Sequence, residues 1–235
     1  MNEQQLSKRL ETVASFVDKG AVVADIGSDH AYLPVYLIRQ GTAERAIAGE
    51  VNKGPLNAAE KQVEKHGLQS VIKTKLGSGL SVLKGETADT VTIAGMGGPL
   101  ITQILEEGKN ELNGVKKMIL QPNVAADFIR RWLFQNDWQL TDEAILEEDG
   151  HIYEVLVAVR GNPIASYTSN KEKEIWLGPI LLKNKNSVFK EKWMRELKQL
   201  KKIYHQLEGA VETSDTVNKR KILKQKIGWL KEEFS

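Results

Sequence analysis

Five short apolar runs, each followed by a turn, constrain the fold of this chain more than any other feature. They lie at residues 21–25, 45–50, 71–76, 90–94 and 117–121. Apolar residues at helical spacing, and a proline suited to a first helical turn, predict helices up to Val17 and over 31–39, 55–66 and 125–134. Strands that alternate with helices predict a parallel sheet covered by helices on both faces.

The stretch after the fifth run breaks this alternation. Residues 138–146 and 152–159 predict two strands joined by a turn at Glu148-Asp149-Gly150. An antiparallel hairpin added to the parallel strands gives a mixed sheet of seven strands. The predicted fold class is therefore α/β, with the Rossmann-like architecture of class I methyltransferases.

A change in charge divides the chain near residue 160. Residues 1–160 contain 17 Lys and Arg against 22 Asp and Glu, whereas residues 161–235 contain 16 against 9. After a polar linker that starts at residue 161, apolar residues at heptad-like steps predict two helices in an antiparallel coiled-coil hairpin. We therefore expect two domains, 1–160 and 161–235, of which the second is basic.

The basic second domain favours a polyanionic partner such as RNA, although a solvated coiled-coil surface is the alternative explanation. Lys8 and Arg9 lie off the apolar face of the first helix and are free to meet phosphates near the site, with a solvated helix face as the alternative explanation. The candidate RNA contacts are Lys8, Arg9, Lys190, Arg195, Lys198, Lys202, Arg220 and Lys224. The heptads can be satisfied within the hairpin, which favours a monomer and leaves the oligomeric state open.

The chain contains no cysteine, which excludes disulfides, cysteine-ligated zinc, iron–sulfur clusters and cysteine nucleophiles. We expect no bound metal. The first residues lack the apolar core of a signal peptide, and no stretch approaches the roughly 20 apolar residues of a membrane span. We therefore expect a cytoplasmic protein without a membrane partner.

The turn after the first strand carries the most specific chemistry. Gly27 allows a ligand to approach the backbone closely, between Asp25 and Ser28. A dinucleotide fingerprint requires a second glycine where Asp29 stands, and a carboxylate there repels a pyrophosphate. S-adenosylmethionine carries a sulfonium and an ammonium instead, so this turn favours it over NAD or FAD, with an ordinary strand–helix turn as the alternative.

The turns that follow the other strands extend this crevice. Glu50 ends the second strand, where an acid is placed to accept the ribose hydroxyls of an adenosine. The third turn, Gly77-Ser78-Gly79, lies where the adenine is expected. The fourth turn, Ala94-Gly95-Met96, is followed by two more glycines, which indicates close approach of a ligand or target base. Gln121 and Asn123 bring two amides to the same edge.

Several of these motifs together resemble a known family. The runs Ser7-Lys-Arg-Leu10, Ala24-Asp-Ile-Gly-Ser-Asp-His-Ala-Tyr-Leu-Pro34, Gly49-Glu-Val-Asn52, Ala94-Gly-Met-Gly-Gly98 and Leu120-Gln-Pro-Asn123 are similar to those of the bacterial tRNA (adenine-22-N1)-methyltransferases, the TrmK family. The resemblance implies S-adenosylmethionine as cofactor, tRNA as partner, and Tyr32 and Val51 among the cofactor contacts. In that family the third turn usually reads Gly-Asp-Gly, so Ser78 lacks the charge of the usual aspartate.

Methylation of adenine N1 needs positioning more than acid–base catalysis, because N1 has an in-plane lone pair. The methylated base is cationic until N6 loses a proton, and a carboxylate stabilises that charge. Asp29 is the first catalytic candidate, and His30 the second unless it only makes structural hydrogen bonds. The alternatives are methylation of another RNA site, a non-catalytic S-adenosylmethionine-binding module with a coiled-coil partner and, more distantly, a dehydrogenase.

Overall fold

The computed structural model describes residues 6–209 and 211–234. It forms two compact units that divide between Ser166 and Tyr167, which we call the N-terminal and C-terminal units. The described N-terminal unit contains one sheet of seven strands. The strands are β1 (Ala21–Ile26), β2 (Ala43–Glu50), β3 (Ile72–Leu76), β4 (Thr90–Gly97), β5 (Lys117–Val124), β6 (Trp138–Glu148) and β7 (His151–Arg160).

The order of the strands is β3-β2-β1-β4-β5-β7-β6, in which β1 to β5 are parallel and β7 is antiparallel to β5 and β6. This order confirms the predicted mixed sheet. From β1 the chain proceeds to β2 and β3 on one side, and then returns to β4 and β5 on the other. Right-handed crossovers place the connecting helices on opposite faces, and leave a crevice between the carboxyl ends of β1 and β4.

The helices of the N-terminal unit agree with four predictions and add one. They are α1 (Lys8–Ser15), α2 (Tyr32–Arg39), α3 (Lys53–Lys65), α4 (Gly98–Glu107) and α5 (Ala126–Gln135), with 3₁₀ turns at Gly79–Leu83 and Lys109–Leu112. The sequence predicts only a glycine-rich turn at residues 95–99, and α4 is not predicted. Its apolar face, Ile101 and Leu105, is fully buried and carries the helical period that could have revealed it.

The helix α1 and the residues just after it pack against the sheet. Ser7 caps α1 by accepting a hydrogen bond from the Leu10 N–H at 3.3 Å. Val13 and Val17 are buried in a core cluster with strand residues such as Val23. At 25 cal/mol per Å², burial of one such side chain contributes on the order of 2 kcal/mol.

The hairpin is fixed to α5 by a buried ion triad. Arg130 donates to Glu143 at 2.6 Å and also to Glu154, and all three side chains are buried. The two carboxylates hold the pKa of Arg130 above its ordinary value despite burial. The hairpin turns through Asp149 and Gly150, both with positive φ, as a two-residue type I′ turn requires.

The C-terminal unit contains four described helices. They are α6 (Lys171–Leu177), α7 (Pro179–Asn184), α8 (Ser187–Glu208) and α9 (Ser214–Phe234). The pair α8 and α9 forms the predicted helical hairpin, whereas α6 and α7 were not predicted. Aromatic side chains pack at its base, with Trp176 edge-on to Trp193 at 4.7 Å between ring centroids. Within the described residues, no helix is both long and apolar enough to cross a membrane.

Candidate active site

Two cavities lie at the carboxyl edge of the sheet, and Gly27 and Met96 line both of them. Cavity A, of about 310 Å³, lies at the ends of β1 and β4, where the strand order reverses. Cavity B, of about 220 Å³, is lined by the ends of β2 and β3 and by α4. The fold therefore brings together the turns that the sequence separates by up to 70 residues.

Asp25 shapes the turn beneath cavity A. Its carboxylate is buried and accepts hydrogen bonds from the hydroxyls of Ser28 and Thr92, both at 2.6 Å. Burial raises the pKa of Asp25 to about 6, although the two hydroxyl hydrogen bonds lower it. Asp25 thus holds Ser28 against the end of β1 and faces the cavity with a carboxyl that titrates close to neutral pH.

The residues Asp29, His30 and Ala31 are all in the left-handed region, with φ of 43°, 67° and 57°. A left-handed non-glycine residue costs on the order of 1 kcal/mol, so the fold supports this conformation by other contacts. Glu50 supplies one, because its Oε1 accepts the Asp29 N–H at 2.6 Å. The run directs the Asp29 side chain outward, and 78% of it is exposed.

Glu50 is a buried acid whose pKa is raised, mainly by burial and also by the charge of Asp29, while the Asp29 N–H lowers it. The structure therefore places Glu50, the acid predicted to accept the ribose hydroxyls, against the backbone of the Asp29 turn. His30 stacks on Tyr32 with 5.6 Å between ring centroids, and its Nε2 lies 3.5 Å from Asp29 Oδ1.

Arg9 differs most from its predicted position on a helix face beside the site. Its guanidinium lines cavity A rather than a solvated helix face, donates to Gln121 Oε1 at 2.5 Å and lies over the Tyr153 ring. Its neighbour Lys8 is also engaged, because its Nζ donates to the Glu147 carbonyl at 3.1 Å. Both side chains therefore have partners within the chain, and their contact with phosphates stays a prediction.

The two amides of the fifth strand order the fourth turn. Gln121 is fully buried and accepts the Gly95 N–H at 2.9 Å, while Asn123 donates to the Gly95 carbonyl at 2.8 Å. Gly95 has a φ of +79°, which favours glycine. Gln121 and Asn123 therefore act on the crevice through Gly95 and the adjacent Met96.

Cavity B depends on glycine at two positions. A Cβ on Gly77 would lie 2.8 Å from Ser81 Oγ, and one on Gly79 would lie 3.0 Å from Ile104. Ser78, between them, is exposed and lines the cavity. Opposite, α4 contributes Gln103 and Glu107, which are joined by a hydrogen bond of 2.7 Å. Neither residue is predicted from the sequence, because the prediction lacks α4.

The predicted cofactor contacts divide between the two cavities. Cavity A is lined by Asp25, Gly27, Ser28, Tyr32, Ala94, Gly95 and Met96, together with Asp29. Cavity B is lined by Gly27, Val51, Gly77, Ser78, Gly79 and Met96. Glu50 and His30 line neither cavity. No cluster of three His, Asp or Glu side chains that could hold a metal occurs among the described residues.

The predicted RNA contacts of the C-terminal unit differ in their availability. The side chains of Lys190, Lys198, Lys202 and Lys224 are exposed. Arg195 is paired with Glu191 one helical turn earlier, and Arg220 is paired with Glu212 at 2.8 Å. Exposed pairs of this kind are weak, so they leave the arginines able to exchange partners.

Comparisons with known proteins agree with this geometry. The family model described as tRNA (adenine(22)-N(1))-methyltransferase, TrmK, matches residues 23–232. The curated tRNA (adenine(22)-N(1))-methyltransferase of Bacillus subtilis (strain 168) is 50% identical over 233 residues, which cover 99% of this chain and 98% of the relative.

Two solved structures extend the match to three dimensions. The crystal structure of the Bacillus subtilis m1A22 tRNA methyltransferase TrmK has a TM-score of 0.94 at 50% identity, covering 98% of this chain and 99% of that one. A Streptococcus pneumoniae relative, solved in complex with S-adenosyl-L-methionine, has a TM-score of 0.85 at 41% identity, covering 98% and 100%. With the family model matching from residue 23 to 232, the chain belongs to the tRNA (adenine(22)-N(1))-methyltransferase (TrmK) family.

Proposed function

We propose that this protein transfers the methyl group of S-adenosylmethionine to N1 of adenine 22 in tRNA. The observation that carries the proposal is the 50% identity to the Bacillus subtilis enzyme over almost the whole of both chains. The two cavities at the carboxyl ends of β1 to β4 also support the proposal. A tRNA substrate also supports the cytoplasmic location that the sequence suggests.

The residues of the two cavities fit S-adenosylmethionine. Cavity B has apolar walls and three polar side chains, Ser78, Gln103 and Glu107, as an adenine with one amino group requires. Cavity A brings one arginine together with two acids, Asp25 and Asp29, which matches a carboxylate beside an ammonium and a sulfonium. When bound, the cofactor supplies a methyl group that is already activated for attack by a ring nitrogen.

Arg9 would hold the cofactor's carboxylate. Its guanidinium is fixed by Gln121 and by the Tyr153 ring, and it is the basic side chain among the described residues that line cavity A. A preorganised guanidinium binds carboxylates more tightly than a flexible ammonium does. We therefore assign Arg9 to the cofactor rather than to tRNA phosphates.

Asp29 would act on the methylated base. Its side chain is at the rim of cavity A and exposed, so an extrahelical adenine can reach it. A carboxylate there stabilises the cationic product ring and accepts a hydrogen bond from N6. His30 is held between Asp29 and Tyr32, where it positions the rim.

The C-terminal unit would bind the tRNA backbone, and the proposed domains are residues 1–160 and 161–235. Residues 161–235 carry 16 Lys and Arg against 9 Asp and Glu, and exposed lysines such as Lys198 and Lys202 lie one turn apart on α8. Neutralising phosphates releases counterions, so binding should weaken with salt.

A methyl-transfer assay tests the function. Purified protein is incubated with labelled S-adenosylmethionine and with transcribed tRNA that carries A22, or with the same tRNA carrying G22. Label in the A22 tRNA, and a reverse-transcription stop at position 22, supports the proposal. Label in both tRNAs indicates another RNA site, and binding of cofactor without transfer to any RNA indicates a non-catalytic module.

Two variants test the assigned roles within the same assay. Asp29→Ala should retain cofactor affinity and lose most of kcat, and near-normal turnover would exclude the role of Asp29. The double variant Lys198→Gln/Lys202→Gln should lower the slope of log affinity against log salt by about 0.9 per lost phosphate contact. Lys53→Gln/Lys61→Gln on α3 is its matched control, and an equal change in both pairs would remove α8 from the proposal.

A further inference from the structure

Exposed apolar side chains of the N-terminal unit concentrate at one edge of the sheet. Five of the six large ones among its described residues follow or end β2, β3, β4 or β5 at the carboxyl edge that carries the cavities. The sixth follows β7, which runs antiparallel and so ends at the opposite edge. They are Val51, Leu76, Leu100, Val124, Phe128 and, at the opposite edge, Ile164.

The cofactor site accounts for only part of this apolar edge. Val51 and Leu100 line cavity B, and Leu76 directly precedes the Gly77 turn. Val124 and Phe128 line neither cofactor cavity, although they are 66% and 51% exposed. Apolar groups left exposed beside a ligand site usually mark an interaction surface.

The segment that leads from β5 into α5 packs against the two glycines that follow Met96. Gly97 follows Met96 directly, and a Cβ built on it would lie 3.9 Å from Val124 Cγ2. Gly98 packs against the Ala125 carbonyl, where a Cβ would lie only 2.0 Å away. The start of α5 is therefore held rigidly beside the fourth turn.

The start of α5 also carries the polar groups that a nucleotide needs. Phe128 lines a groove of about 300 Å³ with Thr102 on α4 and, on α5, with Asp127, Arg131 and Gln135. Arg131 is exposed. An exposed aromatic ring next to an arginine, on a helix face, is typical of single-stranded RNA binding, in which bases stack and phosphates are neutralised.

We propose that the α5 stripe binds unpaired nucleotides that flank the target adenine, with Phe128 as a stacking platform for one base. The α5 stripe consists of Val124 at the end of β5 and of Phe128 and Arg131 on α5. This inference rests on the proposed function. The adenosine and methionine parts of the cofactor take the β2, β3 and β1 ends, so the target base enters over β4 and β5, next to the stripe. An extracted adenine leaves its neighbours unstacked, and the Phe128 ring replaces that stacking.

The test compares Phe128→Ala with Phe128→Trp in the full-length protein. Loss of one base stack should raise KM for tRNA about tenfold or more, with kcat and the Kd for S-adenosylhomocysteine unchanged. Phe128→Trp should keep KM close to that of the unchanged protein. Ile164→Ala is the matched control, since Ile164 is also an exposed apolar residue of the same unit but lies at the opposite edge.

A second measurement locates the contact. tRNAs carrying 2-aminopurine at the position before or after the target should stay quenched on binding, because the Phe128 ring replaces the lost stacking. With Phe128→Ala the fluorescence should instead rise on binding at one of the two positions. Unchanged KM and unchanged quenching in Phe128→Ala would overturn the inference while leaving the function intact. Failure of the unchanged protein to methylate any tRNA would instead overturn the proposed function.

Discussion

Gly27 and Met96 approach so closely that a Cβ on Gly27 would lie 2.3 Å from Met96 Cε. The contact joins the first and fourth turns, which are 69 residues apart, at the boundary between the two cavities. Gly27 also has a φ of +69°, so glycine is favoured there for two separate reasons. The two turns thus meet where the two cavities adjoin.

Gly27→Ala should therefore weaken cofactor binding strongly. The left-handed backbone costs on the order of 1 kcal/mol for alanine, and the Met96 side chain must also move. Gly41→Ala is the matched control, because Gly41 has a φ of +66° but no heavy atom within 4 Å of its Cβ position. Isothermal titration with S-adenosylhomocysteine, together with thermal unfolding, separates the two effects. In a Met96→Ala background the binding loss from Gly27→Ala should shrink, and an undiminished loss would contradict the contact.

Arg9→Met should lower the affinity for S-adenosylhomocysteine about tenfold or more, because a hydrogen-bonded charge pair is lost. Affinity for 5′-methylthioadenosine, which has no carboxylate, should stay unchanged. Lys8→Met serves as the neighbouring control. Equal losses of affinity for both ligands would mean that Arg9 only shapes cavity A. A loss confined to tRNA affinity would instead assign Arg9 to the tRNA phosphates.

Ser78→Asp should strengthen binding of adenosine ligands by about threefold to tenfold, since a charged acceptor roughly doubles the strength of a hydrogen bond to an amino group. Ser78 is exposed at the rim of cavity B, so the substitution meets no packing obstacle. S-inosylhomocysteine lacks the amino group and should show no gain. A similar gain for both ligands would indicate a general effect of charge instead.

Relative to that of the unchanged protein, the free energy of unfolding of Asp25→Asn should rise as pH increases from 4 to 7. The pKa of Asp25 is raised from 3.8 to about 6 in the fold. Between these values the folded chain keeps a proton that the unfolded chain has lost, so this group lowers the free energy of unfolding as pH rises. The difference from the unchanged protein should approach, as an upper limit, about 3 kcal/mol above pH 7.

Urea unfolding at four pH values between 4 and 7.5 measures this difference. Asp18→Asn, at an exposed ion pair with Lys117, should shift the free energy of unfolding by at most about 1 kcal/mol. A difference for Asp25→Asn that does not change with pH would show that Asp25 titrates normally in the fold.

The sequence predicted the strands, most helices and the seven-stranded mixed sheet because these depend on local signals. Apolar runs such as 90–94 and the Asp149-Gly150 turn specify their own conformations. The helix α4 was missed because the glycines before it resemble a loop, and α6 and α7 because they are short. The side chains that α4 brings to cavity B, Gln103 and Glu107, were therefore not predicted.

The sequence by itself determined the strands, the turns that follow them at the candidate site and the unequal charge of the two parts of the chain. Only the tertiary structure decided where side chains of the same helix point. Packing of α1 on the sheet sends Arg9 into cavity A, and the contacts of Gly97 and Gly98 place Phe128 beside the crevice. Such assignments depend on contacts between residues distant in the chain, and no local pattern encodes the direction in which a long side chain finds its partner.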